Sequence, residues 1–105
     1  MICFYTAERI KADVEANVER LFAPWALGRS ENWKPDPATK SLIALGYWVD
    51  EELARFCSDE DRRTQIQAYN RLSRTYDIYE IAADILNAAR QGNIEKNRRG
   101  HRRWG

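Results

Sequence analysis

The chain has 105 residues, 44% apolar and 31% charged, enough for one ordinary globular domain with a single modest core, which excludes a disordered chain. Its net charge of +1 excludes a global field that pulls the protein toward nucleic acid or membrane. No apolar run approaches the roughly 18 residues of a membrane span, and Met1 to Thr6 is too short for the apolar region of a signal peptide.

Charge is segregated within that small total. Residues 93–105 hold five basic side chains against Glu95, a balance of +4, and residues 1–92 hold twelve basic against fifteen acidic, a balance of -3. The expected organisation is a helical domain over 1–92 and a flexible basic tail over 93–105. Cys3 and Cys57 are the only cysteines. With no CxxC spacing and no histidine nearby they suggest neither a zinc site nor a disulfide framework, but two reduced structural thiols and a cytoplasmic location.

Ile2 to Tyr5 is an apolar lead-in, and Thr6 is placed as the N-cap of a helix reaching about Phe22. Tyr5 and Ile10 stand at the two positions of a hydrophobic staple. Ala7, Ile10, Val14, Val18 and Leu21 form its apolar stripe, and Pro24 is expected to stop it, because a proline pushes the residue before it out of the helical region. Ala23 to Lys34 has no sustained period and reads as a long loop containing Trp25, Gly28 and Trp33. The tryptophans either pin the loop to the bundle or face a partner, and packing is the commoner outcome.

Asp36 and Pro37 begin the next helix, an acceptor followed by a ring that presets the first helical dihedral. Ala38, Leu42, Leu45, Val49, Leu53 and Phe56 give its stripe. Gly46 inside it marks a close helix crossing or a break. Ser58 to Gly92 reads as one long helix: Ser58 is the N-cap, Asp59, Glu60 and Asp61 suit the positive end of the dipole, and Gly92 with Asn93 is the stop. Tyr69, Leu72, Tyr76, Tyr79, Ala83 and Leu86 make one stripe and Ile78, Ile81, Ala82, Ile85 and Ala89 a second beside it. From about Tyr76 onward the pattern is that of a central bundle member. The first half, with Arg62, Arg63, Gln65, Gln67 and Asn70, is expected to be exposed, or to be a separate helix bent away near Ser73 to Asp77. The fold expected is all-α, a compact bundle of three to four helices with a long C-terminal helix and a short basic tail.

Catalytic chemistry finds little purchase. His101 is the only histidine and lies in the tail, so no nucleophile, base and orienter can be assembled around it. The carboxylates Asp50, Glu51, Glu52 and Asp59, Glu60, Asp61 lack any metal-ligand spacing and sit where solvated faces and helix starts favour negative charge. No glycine-rich phosphate loop occurs. Tyr69, Tyr76 and Tyr79 read as core residues with hydroxyls at the rim. No enzymatic role, cofactor or metal is expected.

The tail is the main functional lead. Lys96, Arg98, Arg99, His101, Arg102, Arg103 and Trp104 combine cations suited to phosphates with one ring able to stack on a base, giving salt-dependent attraction with little base readout. A helix-turn-helix at the Ser58 corner is disfavoured, since Asp59, Glu60 and Asp61 would face phosphates. The leading expectation is a small non-enzymatic binding or regulatory protein that contacts nucleic acid or a nucleoprotein enzyme through this tail, with a protein partner or a homodimer on the helical body. The alternative is a protein-only adaptor or inhibitor of a larger enzyme, in which Trp25 and Trp33 supply aromatic anchors. No motif in the chain is specific to one family.

Overall fold

Local capping chemistry starts and stops most of the helices. The computed structural model describes residues 4–29, 34–73 and 77–92, and among them are five helices and no strand: α1 (Ala7–Ala16), α2 (Val18–Ala26), α3 (Pro37–Leu53), α4 (Asp59–Leu72) and α5 (Ile78–Arg90). The Thr6 side chain accepts from the Arg9 amide and the Ser58 side chain from the Asp61 amide, so two of the three expected N-caps form. Pro37 occupies the first turn of α3. Asp36 precedes it, but its carboxylate accepts from the Thr39 hydroxyl rather than from an amide, which holds it below its ordinary pKa. Gly28 and Gly92 follow the last residues of α2 and α5 with φ of +79° and +81°, the left-handed conformation that ends a helix at little cost only for glycine.

Two expected continuous helices are each two. The first breaks at Asn17, whose side-chain amide donates to the Asp13 carbonyl at 2.8 Å while its own backbone amide turns to Val14 at 3.1 Å. A side chain that competes for helical carbonyls in this way loosens the helix it sits in. The second divides before Asp77, whose backbone leaves the helical region (ψ 121°) and whose carboxylate accepts from the amides of Tyr79 and Glu80. In place of one long C-terminal helix there are two separate ones, α4 and α5, and the helix count is five among the described residues, not three to four. Pro24 does not end α2, which runs on to Ala26 and stops at Leu27 and Gly28. A proline in a helix interior costs about 3 kcal/mol in isolation, so tertiary packing holds this last turn.

The core is a single cluster. α1 contributes Ile10 and Val14, α2 Leu21, α4 Ala68 and Tyr69, and α5 six residues from Ile81 to Ala89. α5 packs on α1, α3 and α4, the central position its two-stripe pattern indicates, and α3 touches all four other helices. The buried face of α3 differs from the expected stripe: Leu45, Val49 and Leu53 are inside, but Ala44 and Trp48 join them while Ala38 and Leu42 are exposed. α4 is polar outward at Arg63, Gln67 and Asn70, yet Gln65, expected outside, is fully buried.

One residue ties the start of the chain to this core. The Tyr5 amide donates to Asn87 Oδ1 at 2.8 Å, and Asn87 Nδ2 donates back to the Tyr5 carbonyl at 2.9 Å, a two-bond clamp between residues 82 apart in sequence. The Tyr5 hydroxyl donates to Glu52 Oε1 at 2.7 Å, and its ring meets Trp48 edge-on with centroids 5.8 Å apart. Each half-buried hydrogen bond contributes about 1 kcal/mol. Asn87→Ala is therefore expected to lower stability by about 2 kcal/mol in urea denaturation and Tyr5→Phe by about 1 kcal/mol, with the helical circular dichroism of both variants unchanged before the transition.

Candidate binding site

The edge formed by α2 and α3 carries the surface features that the core does not explain. Trp25 lies in the last turn of α2, not in a loop, and is half-buried. Phe22 precedes it by three residues, the spacing that stacks side chains on one helix face, and their ring centroids are 5.2 Å apart. The Arg29 guanidinium sits 4.2 Å from the Trp25 ring centroid and Lys40 Nζ 5.1 Å from that of Phe22, within range of cation–π attraction. Lys40 also pairs with Glu19 across the α2–α3 contact, and Arg20 pairs with Glu51 at 3.0 Å further along it.

Two hollows flank Trp25. The first, of about 570 Å³, is lined by apolar Phe22, Ala26, Leu27 and Pro35 together with Arg29, Lys34, Lys40 and the Glu19 carboxylate. The second, of about 440 Å³, runs along α3 past Leu42, Ile43, Gly46 and Tyr47 and is closed on its far side by Ile66 and Ile78. Leu27 is 80% exposed and Leu42 46%. Gly46 does not mark a close crossing among the described residues, because a Cβ added to it meets none of them within 4 Å.

The other sequence candidates fall elsewhere. Trp33, Tyr76, Cys3 and the whole basic tail from Lys96 through Arg98, Arg99, His101, Arg102 and Arg103 to Trp104 lie outside the described residues. The acidic triplet of α3 is spread among separate partners: Asp50 with Arg62 at 3.5 Å, Glu51 with Arg20, and Glu52 with Tyr5 and Arg55. Among the described residues no group of three or more His, Cys, Asp or Glu converges as a metal site, and no helix is long and apolar enough to cross a membrane. Cys57 is half-buried, and burial followed by the charge of Asp61 pushes its thiol up, away from the reactive thiolate.

The tyrosines are structural in an unexpected way. Tyr69 is buried with its hydroxyl, which has no hydrogen-bond partner among the described residues, so that hydroxyl is not at the rim; burial drives its pKa upward, with Tyr79 adding to the shift. Tyr5 is pushed up to about 12 from 10.0, first by burial and then by its hydrogen bond to Glu52. Because the folded state holds these protons more tightly than the unfolded chain, their stabilisation is complete below about pH 10 and is lost as pH rises through the folded pKa. Denaturation midpoints are expected to hold up to about pH 10 and to fall between about 10 and 12, and Tyr5→Phe is expected to flatten part of that fall.

Phe22, Leu27, Arg29, Lys40 and Leu42 were not singled out from the sequence as surface residues. The signal lay in the three- and four-residue spacings Phe22, Trp25 and Arg29, hidden by reading Pro24 as a stop. Neither protein-family models, nor curated proteins, nor solved structures give a match to this chain.

Proposed function

We propose that this is a small non-enzymatic binding protein that docks on a protein partner through the apolar, cation-rimmed edge of α2 and α3. The observation that carries this reading is the half-buried Trp25 between two hollows with Leu27 and Leu42 exposed beside them. Solvent-facing apolar side chains gathered around an aromatic anchor mark interaction surfaces, where a buried ring and its surroundings supply most of the affinity. The α3 carboxylates pair with cations and with Tyr5, which supports the non-enzymatic reading. Regulation or inhibition of a larger enzyme follows if the docked surface covers that enzyme's working face.

The basic stretch supports a second contact. Its +4 charge over 93–105, with Arg98, Arg99, Arg102 and Arg103 beside Trp104, suits nucleic acid or an acidic surface of a nucleoprotein partner. The two contacts separate by capture from lysate, with and without nuclease. The full chain, its Leu27→Asp variant, and a variant with the four tail arginines changed to alanine serve as baits. Binding through the body predicts a protein partner that survives nuclease and the tail substitutions and is lost from Leu27→Asp. Partners that vanish with nuclease or with the tail arginines instead place recognition on the tail.

A further inference from the structure

Glycine in a helix interior destabilises it relative to alanine, so Gly46 in the tenth position of α3 calls for a reason. None exists within the described chain, since a Cβ there meets open space. The remaining use of a missing side chain is to let another backbone come close. Gly46 lies in the floor of the second hollow, between Leu42 and Tyr47, with Ile66 and Ile78 opposite. Among the described residues its lining is apolar apart from Asp50, Asn70 and Ser73 at its border, with no cation for a phosphate. The positive charge lies at the other side of Trp25, where Arg29 and Lys34 make no ion pair with a described residue and Lys40 shares Glu19.

We infer that this edge receives an amphipathic helix of another protein whose apolar face lies along α3 over Leu42 and Gly46 and whose carboxylates, at one end, meet Arg29 and Lys34. The inference rests on the protein-docking reading and adds the chemistry of the partner. A helix fits better than an extended segment, because α2 and α3 offer no sheet edge with unpaired backbone groups for a strand to join. Carboxylates fit better than a nucleic acid, because Arg29 and Lys40 already cover faces of the Trp25 and Phe22 rings on which bases would stack. A second copy of this chain is a poor occupant, since the acidic first turn of α4 belongs to a helix whose Ala68 and Tyr69 are buried in its own core.

The test is a selection of displayed 20-residue sequences on the immobilised full chain, followed by synthesis of the enriched consensus. The expected consensus has apolar residues at helical spacing and an excess of Asp and Glu toward one end. The synthetic peptide is expected to gain helical circular dichroism on binding. It should bind at least about tenfold more weakly to Gly46→Leu and to the Arg29→Glu, Lys34→Glu double variant, each checked for native melting. If Gly46→Leu fails to fold, Leu42→Glu at its exposed position obstructs the same hollow. No enrichment over an unrelated protein, a consensus without acids, or unchanged affinity for the variants overturns the inference. So does a single-stranded oligonucleotide whose binding the double variant abolishes, or self-association of the full chain that Gly46→Leu abolishes. If the peptide arm fails while Leu27→Asp still loses a captured protein, the docking reading stands and only the acidic helix is refuted.

Discussion

The reciprocal pair between the Tyr5 backbone and the Asn87 side chain is the constraint on which the arrangement turns. A helix cannot offer its own backbone to a passing extended segment, so Asn87 supplies from its side chain the donor and acceptor that a neighbouring strand would provide. With the Tyr5 hydroxyl held by Glu52 and its ring against Trp48, a single residue joins the entry of α1 to α3 and α5. The entry of the chain, the middle of α3 and the end of α5 are thereby fixed to one another. The remaining apolar residues then fill the space between them.

That joint leaves α2 at the edge. It packs on α3 and, at the Asn17 corner, on α1, and has no comparable contact with α4 or α5. Its inner side gives Leu21 to the core, and its last turn carries Phe22 and Trp25 outward to the border of α3. Surface ion pairs such as Arg20 with Glu51 add little each, about 0 to 1 kcal/mol, and serve more to set the orientation of α2 on α3. α3 thus has two sides with different tasks. Trp48, Val49 and Leu53 hold the bundle together, and Leu42 and Gly46 border the open hollow. The binding surface proposed above is a consequence of where the core stops.

Much of this was legible in the sequence because it is set by short-range chemistry. Thr6, Ser58 and Gly92 act within three or four residues of themselves, and their roles need no knowledge of the fold. Ile10, Val14 and Leu21 read correctly as an inward stripe although the helix breaks between them, because Asn17 replaces one backbone bond by a side-chain bond and keeps the period nearly in phase. The break at Asp77 had a local signature too, Asp77 followed three residues later by Glu80, the spacing of a capping box. It was obscured by the stronger apolar pattern around it. The inward face of α3 was not legible: from Leu42 to Val49 every residue is apolar or glycine, so periodicity cannot choose the buried side, and only Tyr5 and α5 settle that Trp48 goes in and Leu42 stays out. Of the candidate site, Trp25 was visible as an aromatic in an irregular stretch. Its cationic neighbours were not, because Lys40 reaches Phe22 only through the packing of α3 on α2.

The most direct measurement is residue-resolved amide hydrogen exchange by NMR on the full chain. A clamp between Tyr5 and Asn87 within a rigid core, with α2 at its edge, predicts that the Tyr5 amide exchanges on the slow timescale of Ile85 and Leu86, while those of Phe22 and Trp25 open earlier, by local rather than global unfolding. A Tyr5 amide exchanging as fast as exposed chain, or α2 amides as protected as those of α5, would contradict the account.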